Sequence, residues 1–349
     1  MPVSVVVGGQ YGSEGKGKTS LHIARTDPTV AAIIRVGGSN SGHIGVSKAG
    51  EHIALRQLPA GGIDGDHEIL LPAGSYIDVE LLLREIDLLG YDPARLMISP
   101  FAHIITADHK RWEAANGLGE AIGSTLSGTG AAVLSRVARG GGSLPDAVRA
   151  EDVPQLASFI GSTTTRAREL LKSDRRLVIE GTQGFGLSSL HAEAWPKATS
   201  RDTTAAGFLA EAGLSPFDVD DVILVIRCHP IRVAGRQSGP LPHETTWDEI
   251  ARRAGIDHDI REFTTVTKKE RRVGDFDPEI VRQAIAVNRP SRIVLNHLDY
   301  VAAGDASEQP GAEALDYVQR VEGAIGQRID LVGTSPASLI DRASLRVGA

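Results

Sequence analysis

The residues that most constrain this chain form a glycine-rich segment directly after its first apolar run. Residues 8–20 read GGQYGSEGKGKTS and follow VSVVV at 3–7. From Gly12 the spacing is G-x-x-x-x-G-K-T, which is typical of a phosphate-binding loop between a strand and a helix. Glycines let backbone N–H groups approach a polyphosphate, and the lysines and the helix N-terminus favour its negative charge. The segment predicts a nucleotide-binding strand–loop–helix unit. The alternative is a glycine-rich turn with solvated lysines.

Short apolar runs alternate with helical patterns along the rest of the chain, which predicts an α/β fold. Such runs, bounded by turn residues, are typical of buried strands in a mostly parallel sheet with helices on both faces. The predicted strands are 3–7, 31–36, 68–71, 95–99, 176–180, 221–227 and 292–296. The predicted helices are 78–89, 154–172, 247–254, 278–288 and 312–324. We expect one domain over 1–349, similar to the P-loop nucleotide-binding proteins. The Gly/Ser/Thr-rich stretch 115–143 is interpreted as a mobile substrate loop, with a plain surface loop as the alternative.

Composition and charge exclude several classes of function. The 349 residues carry a net charge of −7, so the surface as a whole is unsuited to nucleic acid. No apolar run reaches the roughly 18 residues that span a bilayer, and no signal-peptide pattern follows Met1. The single cysteine, Cys228, excludes an internal disulfide and a cysteine metal cluster. We expect a cytoplasmic protein that acts on small molecules.

Polar residues follow several predicted strands at the point where each strand ends. Asn40, Gly42 and His43 come after the second strand, Gln183 after RLVIE, and His297 and Asp299 after RIVLN. Parallel sheets bind ligands at the carboxyl ends of their strands. A single histidine is more often a structural residue, but the conjunction of these segments favours one site.

Eight segments in order carry a resemblance to a known family. They are GGQYGSEGKGK (8–18), GGSNSGHI (37–44), IGSTLSGTGAAVLSRVAR (122–139), IEGTQG (179–184), ATSRDTTAAG (198–207), TVTKKERRVGDFD (265–277), LNHLD (295–299) and GTSP (333–336). Together they resemble the adenylosuccinate synthetase family along almost the whole chain. That family joins the aspartate amino group to C6 of a purine monophosphate, after a triphosphate donor and Mg²⁺ phosphorylate the 6-oxygen. The resemblance implies the same α/β fold.

The resemblance implies a donor site, a metal site and catalytic residues. Ser13, His43, Lys18 and Gln183 would be catalytic, with His43 acting as general acid on the phosphoryl oxygen. Mg²⁺ would be held at Ser13 and the Gly42 carbonyl. The implied donor-binding residues are Gly12, Ser13, Glu14, Gly15, Lys16, Gly17, Lys18, Thr19, Gly42, His43, Arg271, Asn296, His297, Asp299, Gly333, Thr334 and Ser335.

The resemblance also implies sites for the other two substrates. The implied acceptor-binding residues are Ser13, Asn40, Ser124, Thr125, Arg139, Gln183, Thr199 and Lys269. Arg139 would reach in from a second subunit, so a homodimer is expected. The implied aspartate-binding residues are Val266, Thr267, Lys269 and Arg271, through charge-assisted bonds to the carboxylates.

Ser13 departs from the family, which has an aspartate here that removes the purine N1 proton and ligates Mg²⁺. A serine hydroxyl is a neutral donor and acceptor and not a base. Guanine carries a 2-amino group beside N1, which would crowd an aspartate and gain from a small hydrogen-bonding residue. The leading hypothesis is therefore a dGMP or GMP acceptor and a 2-amino-adenylosuccinate product, as in the phage branch of the family. The alternatives are an ordinary synthetase acting on IMP with GTP, and an inactive nucleotide-binding regulator.

Two further departures concern the donor and aspartate sites. His297 stands where the family has a lysine against the guanine of GTP, which favours ATP or dATP as the donor and leaves GTP open. Lys269 replaces an arginine and loses its bidentate fork. A generic P-loop ATPase would need a second acidic strand end for Mg²⁺, for which Glu180 is the candidate.

Overall fold

A computed structural model describes residues 2–264, 268–302 and 311–344. The strands in these ranges are β1 (Val3–Gly8), β2 (Val30–Arg35), β3 (His43–Val46), β4 (His52–Leu55), β5 (Glu68–Leu71), β6 (Tyr76–Ile77), β7 (Leu96–Ile98), β8 (His103–Ile104), β9 (Arg176–Glu180), β10 (Val219–Arg227), β11 (Ile231–Arg232), β12 (Glu244–Thr245), β13 (Arg272–Gly274), β14 (Arg292–Asn296), β15 (Leu331–Val332) and β16 (Ile340–Asp341). The α-helices there are α1 (Lys16–Thr26), α2 (Val79–Leu89), α3 (Ala107–Ala115), α4 (Leu118–Ile122), α5 (Thr129–Ala138), α6 (Thr163–Lys172), α7 (Ala205–Ala212), α8 (Trp247–Ala254), α9 (Pro278–Asn288) and α10 (Ala312–Ile325).

Nine strands form the central sheet, in the order β16-β15-β14-β10-β1-β9-β2-β5-β7. Every neighbouring pair is parallel except β15 with β16. Alternate residues point to opposite faces of a strand, so Val5 packs beneath α6, α7, α9 and α10, while Val6 packs with Ile23 of α1. This confirms the predicted α/β fold, with a large, mostly parallel sheet and helices on both faces. None of the helices in the described ranges is long and apolar enough to cross a membrane.

Two local predictions are wrong. The helix expected over 154–172 is a 3₁₀ helix at Pro154–Phe159 followed by α6, because Ile160 pairs with Ile98 and the Gly161 N–H donates to the Ile98 carbonyl at 2.9 Å. The loop expected over 115–143 contains α4 and α5. Ala132 and Val133 of α5 pack against Tyr76 and Ile105, which gives this polar stretch an apolar contact.

The sheet brings the predicted functional segments to one edge. Gly8 at the end of β1 pairs with Val225 of β10, Arg227 at the end of β10 pairs with Asn296 of β14, and Arg35 pairs with Glu180. Because these strands are parallel, the loops that follow β1, β2, β9, β10 and β14 begin side by side.

Candidate active site

A cavity of about 440 Å³ lies at this edge of the sheet and collects most of the predicted site residues. The predicted residues that line it are Gly12, Ser13, Gly15, Lys16, Gly17, Lys18, Asn40, Gly42, His43, Thr125, Gln183, Arg271, His297, Asp299 and Ser335. The other predicted residues in the described ranges lie behind this lining or away from it. Val266 and Thr267 are outside the described residues.

The glycine-rich loop contains a buried ion pair between two of its own residues. Glu14 is fully buried, and its carboxylate accepts the Gly12 N–H at 2.7 Å and the Gln10 N–H at 3.2 Å. It also pairs with the Lys16 ammonium at 2.6 Å, and Lys16 donates in addition to the Gln183 carbonyl. Gly12 and Gly15 have φ values of 96° and 98°, which glycine adopts without strain. The loop is therefore shaped before any anion binds, with Glu14 turned inward from the cavity.

Lys18 and Thr19 lie in the first turn of α1, but their side chains have different roles. The Lys18 ammonium donates to the Ser335 carbonyl at 2.7 Å. Burial lowers the pKa of Lys18 to about 8, although Asp299 opposes this effect. The Thr19 hydroxyl donates to the Gly15 carbonyl at 3.1 Å and is buried. Lys18 thus joins the phosphate loop to the 333–335 segment, and Thr19 closes the helix start.

The segments after β14 and β15 form the far wall of the cavity. The Asn296 amide donates to the Glu14 carbonyl at 2.9 Å and so ties this wall to the loop. His297 has a φ of 67° and lies with its ring 5.3 Å from the ring of Tyr300. Of the residues predicted here, Asn296, Gly333 and Thr334 support the wall, while His297, Asp299 and Ser335 face the cavity.

His43 is oriented by a buried carboxylate at the end of β9. Its Nδ1–H donates to Glu180 at 2.7 Å, and Glu180 also accepts the N–H groups of Ala60 and Gly61, each at 3.0 Å. Burial and the neighbouring Arg35 cation lower the pKa of His43 to about 4. Burial favours the neutral form of Glu180, but His43 and Arg35 outweigh it and bring the pKa to about 2. His43 is therefore neutral near pH 7. Glu180, itself held by two backbone N–H groups, fixes the orientation of the imidazole ring.

Ser13 faces the cavity within a network of charged side chains. Its hydroxyl oxygen accepts from Arg271 at 2.5 Å, and its carbonyl accepts from Arg227 at 3.1 Å. Both arginines contact Glu262, at 2.5 Å for Arg227 and 3.5 Å for Arg271. Ser13 has a φ of 57°, a left-handed conformation that is uncommon outside glycine. Ser13 is thus held by an arginine at its backbone and by another at its side chain.

The predicted acceptor residues are divided between the cavity and its surroundings. Asn40, Thr125 and Gln183 line the cavity, and the buried Oδ1 of Asn40 has no hydrogen-bond partner among the described residues. Such an atom is suited to accept a hydrogen bond from a ligand. The predicted residues outside the lining are Ser124, Arg139, Thr199 and Lys269.

Those four residues have separate local environments. Ser124 donates to Glu113 at 3.3 Å, and the Thr199 N–H donates to the Leu187 carbonyl at 2.7 Å. Lys269 is exposed, and its backbone N–H donates to the Thr264 hydroxyl at 3.0 Å while its carbonyl accepts the Thr264 N–H at 2.9 Å. Arg139 is exposed at the C-terminal end of α5.

Several residues around the cavity were not predicted. Arg227 and Glu262 hold Ser13, and Arg35 lies against His43. Arg232 lies over the ring of Tyr11, with its guanidinium carbon 4.2 Å from the ring centroid, and both line the cavity. Arg35 and Arg227 are the last residues of two buried apolar strands. The ends of the predicted strands, which pointed to the polar loops, therefore also point to these two arginines.

Comparisons with known proteins show which family the chain resembles. The family model for adenylosuccinate synthetase matches residues 5–156 and 148–308. The adenylosuccinate synthetase of Archaeoglobus fulgidus is 33% identical over 342 residues, covering 96% of each chain. That of a Pyrococcus species is 35% identical over 353 residues, covering 98% of this chain and 99% of the relative.

Two solved structures share the fold. The succinoaminodeoxyadenylate synthetase of cyanophage S-2L, described as bound to dGMP and to dATP as an energy donor, superposes with a TM-score of 0.81. It is 29% identical and covers 97% of this chain and 95% of its own. The fully ligated adenylosuccinate synthetase of Plasmodium falciparum has a TM-score of 0.85 at 19% identity, covering 98% and 100%. The chain belongs to the adenylosuccinate synthetase family, a family of C–N ligases that bind a purine monophosphate, aspartate and a triphosphate donor with Mg²⁺.

Proposed function

We propose that this ligase joins L-aspartate to C6 of a guanine monophosphate, dGMP or GMP, and forms N6-succino-2-amino-(deoxy)adenylate. Such a product is a precursor for 2-aminoadenine in DNA. The observation that carries the proposal is Ser13, which faces the cavity with a neutral hydroxyl held by Arg271. A hydroxyl in this place leaves room for the purine 2-amino group and can accept its hydrogen bond.

The reaction needs the purine 6-oxygen to become a good leaving group. The γ-phosphoryl group of the donor is transferred to O6, which releases a nucleoside diphosphate, and the N1 proton passes to water because Ser13 is not a base. The free amine of aspartate then attacks C6, expels inorganic phosphate and loses a proton to water. Transfer of this kind depends on alignment and on neutralised charge, which the N–H groups of the loop and Lys18 would supply, while Lys16 shapes the loop through Glu14. His43, oriented by Glu180, would hydrogen-bond the phosphoryl oxygen, whose charge favours protonation of the imidazole. Gln183 would hold the acceptor beside it.

The residues present fit a Mg²⁺ ion that arrives with the donor phosphates. Gly42 and Ser13 line the cavity, and the Gly42 carbonyl and the Ser13 hydroxyl are oxygen ligands of the kind that Mg²⁺ prefers; Arg271 would have to release that hydroxyl. The described residues contain no group of three His, Cys, Asp or Glu that could hold a metal alone. Glu14 and Glu262, two of the nearby carboxylates, are paired with cations. Bound there, Mg²⁺ would neutralise charge on the transferring phosphoryl group.

The proposed donor is ATP or dATP. His297 and Asp299 face the cavity beside Ser335, so the wall that would meet the donor base lacks the family's lysine at position 297. The cyanophage enzyme with a similar fold is described with dATP, which supports this choice. GTP is the alternative donor.

The proposed aspartate site and dimer rest on fewer contacts. Arg271 lines the cavity, and its Nε has no hydrogen-bond partner among the described residues, so it is suited to bind a carboxylate. We propose that Val266, Thr267 and Lys269 complete that site. We also propose a homodimer in which Arg139 enters the partner's acceptor site. Leu134 and Val137 on the same helix are 46% and 70% exposed, which suits an apolar contact beside Arg139.

An ordinary synthetase acting on IMP with GTP is the second candidate. The curated relatives with 33% and 35% identity are named adenylosuccinate synthetase, which favours it. An inactive regulator is the third candidate.

The deciding experiment measures aspartate-dependent phosphate release with dGMP, GMP and IMP, each with ATP, dATP and GTP. Turnover of a guanine nucleotide above IMP supports the proposal. Turnover of IMP alone refutes it, and no turnover with any pair favours the regulator.

A further inference from the structure

One carboxylate, Glu262, lies at the junction of three parts of the cavity. Its Oε1 accepts from the Arg227 guanidinium at 2.5 Å and from the Tyr300 hydroxyl at 3.3 Å. Its Oε2 lies 3.4 Å from Arg227 and 3.5 Å from Arg271. A single side chain therefore contacts two cations and one phenol.

The partners of Glu262 lead to two parts of the cavity, Ser13 and the wall that would meet the donor base. Arg227 also holds the Ser13 carbonyl, and Arg271 holds the Ser13 hydroxyl. Tyr300 packs against His297, on the wall that would meet the donor base. The Arg271 backbone N–H donates to the Glu262 carbonyl at 2.8 Å, so the two residues are also joined through the main chain.

The electrostatics make this carboxylate hard to replace. The side chain of Arg227 is 0% exposed, and those of Glu262 and Arg271 are 20% and 15% exposed. Burial favours the neutral form of Glu262, but Arg227 outweighs it and brings the pKa to about 2. Without the negative charge, two buried guanidinium groups would repel each other across Ser13.

We infer that Glu262 is a positioning residue that sets Arg271 against Ser13, so that one carboxylate fixes both the acceptor-facing serine and the arginine proposed to bind aspartate. The inference rests on the proposed function of this site. It does not depend on whether the acceptor is a guanine nucleotide or IMP, because Ser13 and Arg271 face the same cavity in either case.

The test compares Glu262→Gln with the wild type, using whichever acceptor the wild type turns over. Loss of the charge frees Arg271 to move away from Arg227, so we expect the KM for aspartate to rise about tenfold while kcat changes less than about threefold. Glu262→Asp keeps the charge for Arg227 but shortens the side chain, so it should lose the longer contact to Arg271. We expect the same rise in the KM for aspartate with little change in kcat. If Glu262→Gln does not fold, the kinetics of Glu262→Asp test the inference instead.

Glu244→Gln is the matched control. Glu244 pairs with Arg272, the residue next to Arg271, at 2.6 Å and 2.5 Å, and neither residue lines the cavity. We expect this variant to leave the KM for aspartate unchanged, with a melting temperature close to that of the wild type, because Glu244 is 43% exposed.

A double-mutant cycle with Ser13→Ala separates positioning from a general effect. Because both changes act through Arg271, their effects on kcat/KM for aspartate should combine to less than their product. Multiplicative effects, an unchanged KM, or an equal rise in Glu244→Gln would overturn the inference. If the wild type turns over no acceptor, the proposed function fails, and the aspartate Kd by calorimetry decides the role of Glu262 instead.

Discussion

The exchange of Ser13 for aspartate tests the selection of the acceptor most directly. The serine oxygen lies 2.5 Å from an Arg271 nitrogen that is already 3.5 Å from Glu262. An aspartate would place a second carboxylate on that guanidinium, and two carboxylates about 4 Å apart repel by about 4 kcal/mol at an effective dielectric constant near 20. Arg271 and Arg227 would offset most of this repulsion, while the added bulk would meet the 2-amino group.

We therefore expect Ser13→Asp to cost the guanine acceptor about 1–3 kcal/mol of transition-state binding, the range for one mismatched buried polar contact. This equals a fall of about 5- to 150-fold in kcat/KM. IMP lacks the 2-amino group, so its kcat/KM should not fall. The ratio of kcat/KM for the guanine nucleotide to kcat/KM for IMP should therefore reverse in favour of IMP. Phosphate release at varied dGMP and IMP, with product identified by mass spectrometry, measures this ratio.

Ser13→Ala is the control for this prediction, because it removes the hydroxyl and keeps the space. It should lower the ratio of guanine to IMP activity only by the one hydrogen bond to the 2-amino group, about 2- to 10-fold, and by less than Ser13→Asp does. An unchanged ratio in Ser13→Asp would refute the reasoning, since position 13 would then not contact the edge of the ring that distinguishes the two purines.

Three further predictions follow from the hydrogen bonds and charges of the site. Glu180→Gln should lower kcat about 100-fold with little change in any KM, because His43 loses the acceptor that orients it, and steady-state kinetics at saturating substrates measure this. Since the Lys18 cation is present below its pKa of about 8 and lost above it, the KM for the donor should rise between pH 7 and 9 in the wild type and stay flat in Lys18→Arg. Mixing Arg139→Ala with His43→Ala should restore about a quarter of wild-type activity if Arg139 acts in trans, since half of the dimers would hold one complete site, whereas no recovery places Arg139 in its own subunit's site or outside it.

The strands were predictable because their apolar runs pack on both faces of a parallel sheet, and such runs are visible in one sequence. The break at Ile160 was not, because it depends on pairing with Ile98, a partner 62 positions away that no local pattern reveals. The same holds for the helix α5 in stretch 115–143, where Ala132 packs against Tyr76, a residue distant in the sequence. Tertiary contacts thus overrode local preference in both places.

The candidate site divides in a similar way. Lining residues such as Asn40 and Gln183 belong to motifs with fixed spacing, so the sequence marks them. Glu262 belongs to none, and its importance comes from two arginines 35 positions before it and 9 positions after it. Charge networks of this kind form only when the fold brings distant residues together, so the sequence alone does not predict them.

The left-handed backbone at Ser13 limits how this enzyme could change its acceptor by mutation. At a φ of 57°, β-branched residues such as threonine and valine are strained, whereas glycine and asparagine or aspartate tolerate the conformation. A lineage could therefore exchange serine and aspartate here without rebuilding the loop, but it could not pass through bulky or branched residues. Acceptor preference is confined by the main chain to a few short polar side chains, and a switch between two purines is open to a very small number of substitutions.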